Sequence, residues 1–213
     1  MMIKDIIIVG CGGLGIETAQ LIRDINNSTP SKQWRFLGYV DDCVENHGKT
    51  ILGDKVLGSV DIIKNYENVN VVIAIADPEI RASIAKKIQD YCTLPTLIHP
   101  SVEIPESTTI ARGCIIFKQA VISVLVTIGE FVIISPLSGI GHGAMICSFN
   151  TILWNVTIGG DALLMPYGFY GSGSTVVQQI TVEPYCKIGA GAVVIKKVKA
   201  HSTMVGVPAK KIK

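Results

Sequence analysis

Residues Ile128 to Ile146 read IGEFVIISPLSGIGHGAMI, and isoleucine returns in them at every sixth position: 128, 134, 140 and 146. Counting outward by sixes from Ile98 to Val194 gives seventeen positions, of which sixteen are Ile, Val or Leu and one is Tyr170. With an apolar residue at about one position in two, chance would produce that run far less than about once in 10,000 trials. Four residues after each large side chain there is usually a small or β-branched one, as at Val102, Thr108, Cys114, Ala120, Val126, Val132, Ser138 and Ala144. Glycine often follows the large residue directly, at Gly129, Gly141, Gly159, Gly171 and Gly189.

A period of six fits neither an amphipathic helix, which repeats every 3.6 residues, nor a single strand, which alternates every two. It fits a prism with flat β faces. Each hexapeptide supplies one short strand and one turn, and three of them close an 18-residue triangular coil. The large residue points inward and stacks on its equivalent one coil away, while the small residue sits near a corner. Residues 97–213 are therefore expected to form a parallel β-helix.

Residues 1–96 follow another rhythm. IIIVG (Ile6 to Gly10) is a β-branched run ending at a glycine turn, as a buried parallel strand does. Ile16 to Asn26 reads as a helix with Ala19, Ile22 and Ile25 on one face. FLGYVDD (Phe36 to Asp42) and VVIAIA (Val71 to Ala76) read as further strands. Pro78 suits a helix start, and Ile80, Ile84 and Ile88 form an i, i+4 stripe. Together these predict a small doubly wound, Rossmann-like α/β domain.

Composition narrows the function. Charged residues are 17% of the 213 and mean hydropathy is +0.44, which excludes disorder. No apolar run approaches the roughly 18 residues of a membrane span, and MMIKDIIIVGCGG lacks the form of a cleavable leader, so a cytoplasmic protein without membrane contacts is expected. A net charge of +2 without a basic block gives no reason to expect nucleic acid. The six cysteines show no metal-like spacing and read as reduced, buried small hydrophobes; no metal is expected.

The opening IIIVGCGGLG, Asp41-Asp42 after a strand, AIADPEIR (Ala74 to Arg81), LIHPS (Leu97 to Ser101), the repeats, IGHG (Ile140 to Gly143), IGAGAVV (Ile188 to Val194) and VGVPAKKI (Val205 to Ile212) occur in one order along nearly the whole chain. In that order they resemble the two-domain hexapeptide-repeat sugar acetyltransferases, the group with bacterial nucleotide-sugar N-acetyltransferases and sialic acid O-acetyltransferases. The resemblance implies a left-handed β-helix and a homotrimer. It further implies acetyl-CoA between neighbouring helices and a nucleotide-sugar on the N-terminal domain.

Acyl transfer from a thioester needs a base for the nucleophile's proton, and histidine suits that role near neutral pH. Of His47, His99, His142 and His201, only His142 interrupts a turn in the middle of the repeats, between Gly141 and Gly143, where the family places its catalytic histidine. Relatives usually carry an acid directly after it; Gly143 stands here, and Asp161, about one coil on, is the candidate substitute. The loop Gly10-Cys11-Gly12-Gly13-Leu14-Gly15 satisfies GxGxxG, whose open backbone N–H groups can approach a phosphate. An NAD reading would want an acid about 20 residues on, where Ser31, Lys32 and Gln33 stand instead.

By resemblance, Gly12, Gly13, Leu14, Asp41, Asp42 and Ala76 contact the nucleotide-sugar, with Leu14 replacing a histidine common in relatives. Thr151, Ser172 and Ala190 contact acetyl-CoA, with Thr151 also in a histidine's place, and Lys196, Lys197, Lys210 and Lys211 could meet its phosphates. The leading expectation is acetyl transfer to an amino group of a nucleotide-linked sugar. Its alternatives are a sugar O-acetyltransferase and a non-catalytic sugar-nucleotide binder.

Overall fold

In the computed structural model, which describes residues 3–213, the six-residue repeat winds into a three-sided parallel prism. Each strand up to the last coil pairs with the one 18 residues later, as Thr127 with Met145, Gly139 with Thr157 and Thr151 with Phe169, and the last coil is two residues shorter, with Lys187 on Thr203. Two faces have five strands each; the third has seven parallel strands and an antiparallel edge at Lys210–Lys211. The large residues from Ile116 onward fill the interior with the small ones beside them, Tyr170 included. Only the first members, Ile98, Ile104 and Ile110, are partly exposed at the open end.

Close approach between coils explains the glycines that follow the large residues. A Cβ at Gly129, Gly141, Gly159 or Gly171 would lie 2.4–2.6 Å from the backbone nitrogen of the next coil. The turns have a second regularity that the sequence hides. All fourteen positions spaced by six from 113 to 191 have positive φ, and ten of them are not glycine. In one corner this column holds Phe131, Phe149, Tyr167 and Tyr185 with His201 beyond, a ladder of near-parallel rings 4.7–5.3 Å apart. Stacking at that spacing offsets part of the backbone strain.

The N-terminal half is a five-stranded sheet ordered β3-β4-β2-β1-β5, built from β1 (Lys4–Val9), β2 (Trp34–Val40), β3 (Thr50–Ile51), β4 (Asp54–Gly58) and β5 (Asn70–Ile73). The β3–β4 hairpin is absent from the sequence reading, because its strands are short and its Leu52-Gly53 turn lacks the usual dipeptide. Helix α1 (Gly13–Asn27) and helix α2 (Pro78–Ile88) lie on opposite faces. Ile6 and Ile8 pack with Ala19, Leu21 and Ile22 of α1; Ile7 and Val9 pack with Ala85 and Ile88 of α2. Asp77 caps α2 by accepting from Glu79 N and Ile80 N, with Pro78 at the first helical position.

The expected Ile80, Ile84, Ile88 stripe needs correction: Ile80 is 53% exposed, and the buried face is Pro78, Arg81, Ala85 and Ile88. A charged side chain occupies the inward position because backbone carbonyls await it there. The cysteines also divide: Cys11, Cys114 and Cys186 are buried, Cys92 and Cys147 half-buried, and Cys43 exposed.

The two halves share their cores. The seven-stranded face of the prism turns Leu97, Ile115 and Ile133 outward onto α1, while Phe131 packs into the α2 cluster. Higher on the same face the outward positions become half-buried Phe169 and exposed Lys187, beyond the reach of the sheet domain. On the covered face the doublets Ile115-Ile116 and Ile133-Ile134 are buried on both sides, whereas Val121 and Met145, outward on the other faces, are exposed.

Candidate functional site

The carboxyl ends of β1, β2 and β5 lie together near the start of α1, the place where α/β sheets of this kind bind ligands in a crevice. Gly12 caps α1 without a side chain, and Gly12 and Gly13 are exposed, with open space within 4 Å of where a Cβ would stand. Gly15 has the opposite reason for being glycine: a Cβ there would lie 2.0 Å from Gly10 O, so the helix can approach β1 only without one. Leu14 is half-buried beside the loop.

Asp41 supports the loop from below. Its Oδ2 accepts from the Cys11 N–H and from the Cys11 thiol, both at 3.1 Å, and its Oδ1 accepts from Cys43 N–H at 2.9 Å. Burial opposes ionisation of Asp41, yet these donors outweigh it and hold the carboxyl below its ordinary range. Burial, then the Asp41 carboxylate, pushes the Cys11 thiol up to about 11, so it stays protonated and donating. Asp42 Oδ1 accepts from Val60 N–H. Both carboxylates, expected to meet a ligand, thus have backbone partners already. His47 Nε2, passed over in the sequence, lies 2.7 Å from Asp41 O at the same crevice; its sequence setting, a polar loop, held no signal.

Ala76 ends the β5 loop on the far side of the crevice, and its carbonyl accepts from the Thr151 hydroxyl at 2.6 Å. Thr151 is fully buried. This corrects its expected place on acetyl-CoA: its side chain is enclosed beneath the N-terminal half, with its proton committed to Ala76. Ser172 and Ala190 do lie together, exposed and one coil apart, on the corner that carries Lys118, Pro136 and Trp154 below them. Bare turns at Gly173 and Gly191 leave that upper corner open. Between α1 and its lower part is a cavity of about 110 Å³ whose lining includes Glu17, Asp24, His99 and Trp154. His99 is held there, its Nε2 3.4 Å from Asp24 and its Nδ1 2.8 Å from Ser101 Oγ.

His142 occupies a different corner, between the two faces that the N-terminal half does not cover. Its ring lies over Gly160, where a Cβ would come within 2.6 Å of the imidazole. Asp161 stands beside it, Oδ2 3.9 Å from Nε2, with the two side chains 67% and 55% exposed for His142 and Asp161 respectively. That distance exceeds hydrogen-bond reach, so the carboxylate acts on the ring only through solvent. Gly143 has φ of +66°, and a Cβ there would meet Asp161 Oδ1. The acid found after the histidine in relatives therefore has no room while Asp161 keeps its place. Within one chain the crevice, the open corner and His142 stay apart.

Among the described residues, no group of three or more His, Cys, Asp or Glu is placed to hold a metal ion, and no helix is long and apolar enough to cross a membrane.

Residues 5–88 match the PglD N-terminal domain family. Among curated proteins, the serine acetyltransferase of Buchnera aphidicola subsp. Acyrthosiphon pisum is 35% identical over 94 residues, 39% of this chain and 34% of that protein. The serine acetyltransferase of Bacillus pumilus is 36% identical over 77 residues, 32% of this chain and 36% of that protein. The chain thus spans about a third of the length of these relatives. Among solved structures, the acetyltransferase domain of PglB from Neisseria gonorrhoeae superposes with a TM-score of 0.88 at 23% identity, over 98% of this chain and 100% of that one. WeeI from Acinetobacter baumannii gives 0.82 at 24% identity over 100% of both chains. PerB from Caulobacter crescentus, solved with CoA and GDP-perosamine, gives 0.75 at 22% identity over 100% of this chain and 99% of that one. Residues 5–88 thus match the PglD N-terminal domain family, and the chain as a whole shares the fold of these solved structures, an α/β domain followed by a left-handed parallel β-helix.

Proposed function

We propose that this protein transfers an acetyl group from acetyl-CoA to an amino group on a nucleotide-linked sugar, working as a homotrimer with His142 as general base. The observation that carries the reading is the position of His142. It is a solvent-facing imidazole on a glycine-lined corner of an acyltransferase-type β-helix, remote from its own chain's nucleotide-type crevice. A neighbouring copy would bring its crevice and its open Ser172–Ala190 corner to that imidazole. PerB, of like architecture, is solved with CoA and an amino-sugar nucleotide bound.

The chemistry follows from the groups present. The crevice holds the nucleotide, with Gly12 and Gly13 presenting backbone N–H groups to phosphate at the start of α1. The bare turns at Ser172 and Ala190 admit the extended pantetheine arm, and the Lys196, Lys197, Lys210 and Lys211 side chains near the last coil meet its phosphates. His142 accepts the proton as the amine nitrogen bonds to the thioester carbonyl carbon. The C–S bond then breaks, and the departing CoA sulfur takes up a proton. Asp161 lends the imidazolium modest support from 3.9 Å.

The test is thiol release with GDP-, UDP- and dTDP-linked amino sugars, set beside hydroxy sugars. Turnover with an amino sugar that His142→Ala abolishes, while acetyl-CoA binding is retained, is the expected result. Undiminished turnover in that variant would remove His142 from the mechanism. Release with hydroxy sugars alone would make the enzyme an O-acetyltransferase. Nucleotide-sugar binding with no release from any acceptor would favour a non-catalytic binder, which Gly143 and Leu14 would then explain.

A further inference from the structure

Arg81 is the largest fully buried side chain, and no carboxylate meets it. All five of its N–H donors go to backbone carbonyls instead. Nε donates to Phe131 O at 2.9 Å; Nη1 donates to Ile75 O at 2.5 Å and Ala76 O at 3.2 Å; Nη2 donates to Phe149 O at 2.9 Å and Asn150 O at 3.3 Å. Two of these carbonyls belong to the crevice loop and three to adjacent turns of the prism. The next residue along the prism, Thr151, closes the arrangement by donating to Ala76 O, so that carbonyl accepts from both sides of the domain junction. Asn150 holds its own coil in register: its side chain donates to Cys147 O and Met165 O and accepts from Gly168 N.

Burial lowers the Arg81 pKa to about 9, which leaves it charged at neutral pH. A buried ion is a poor way to gain stability, since apolar residues of similar volume commonly serve as well or better. What a guanidinium adds is direction: five donors in a rigid plane fix two segments relative to each other, as an apolar contact does not. The crevice loop contributes Ala76, and the coil it is fastened to also carries His142, nine residues before Thr151.

We propose that Arg81 and Thr151 are positioning residues that fasten the 75–76 edge of the nucleotide crevice to the β-helix, so that Thr151 acts on nucleotide binding and not on acetyl-CoA. The inference rests on the crevice being the nucleotide site. It gives Thr151, where relatives place a histidine, a role in holding one ligand site at a set distance from the helix.

The test uses Thr151→Val, which keeps shape and burial but loses the hydroxyl, and Thr151→Ser, which keeps the hydroxyl. Calorimetry with GDP, UDP, dTDP and acetyl-CoA is run on the full chain. The expected result is nucleoside diphosphate binding weakened about 2- to 12-fold in the valine variant, the range of one net hydrogen bond. Serine restores it, and acetyl-CoA affinity moves less than about 2-fold. Weakened acetyl-CoA binding with unchanged nucleotide binding, or no change in either, overturns the proposal. If the wild-type protein binds none of the three nucleotides, the crevice reading fails by itself. The fastening is then read from the Asp77 amide resonance, which directly follows the Ala76 carbonyl. A shift or broadening in the valine variant that serine reverses supports it, and an unmoved resonance overturns it.

Discussion

Tyr170→Phe should stabilise the β-helix. Tyr170 is the one aromatic residue in the inward column, and its hydroxyl is fully buried with no hydrogen-bond partner. Its ring is accommodated because residue 168 is glycine: a Cβ there would lie 2.8 Å from the hydroxyl and 2.4 Å from Asn150 Oδ1. Phenylalanine keeps the ring between Ile152 and Ile188 and opens no cavity of consequence, so the change isolates the oxygen. Enclosing an unpaired hydroxyl costs about 1–3 kcal/mol, and the substitution should recover most of that. With a urea slope of about 2 kcal/mol per molar, the midpoint should rise by roughly 0.5–1.5 M at unchanged slope. The chain has two tryptophans, Trp34 in the sheet domain and Trp154 on the prism, so fluorescence in a Trp34→Phe background reports the β-helix and its junction with α1. A midpoint that falls would refute the reasoning, because the hydroxyl would then have a partner worth more than its burial costs.

Asp41 sets a second expectation, in acid. Its folded pKa is depressed below the ordinary 3.8, so its contribution to stability is complete above that value and disappears as pH falls through the folded pKa. Melting temperatures of the wild type and Asp41→Asn should differ at pH 7 and converge below about pH 4; a difference constant with pH would remove the carboxylate from the account. Asp161→Asn should lower turnover by less than about 5-fold, since an exposed pair 3.9 Å apart couples weakly. A loss beyond about 100-fold in steady-state rates would mean that the working assembly encloses the pair.

Residues 98–194 were legible because one inward side chain recurs every six residues and no other fold wants that period. The covered face was not, because apolar pairs such as Val121-Ile122 and Leu163-Leu164 on the open faces look the same in sequence as the covered Ile115-Ile116 and Ile133-Ile134. Left-handed backbone at Phe131 or Tyr167 was not, since aromatic residues carry no turn signature and their stacking is a property of neighbouring coils. Periodicity placed Ile80 inside and said nothing of Arg81, because a helical stripe counts apolar residues while the site there consists of main-chain oxygens. Matching motifs put Thr151 on the cofactor; its burial comes from a loop 75 residues away in sequence, which no local pattern encodes. The Gly12–Gly13 loop was readable because an open turn before a helix depends on adjacent residues alone.

The imidazole corner lies between the two prism faces that the N-terminal half, with its crevice, leaves bare. On the trimeric reading, a solitary chain is complete as a fold and inert as a catalyst. Dilution would then extinguish turnover while leaving circular dichroism untouched, and the concentration at which the rate per chain halves would measure how tightly the copies hold one another.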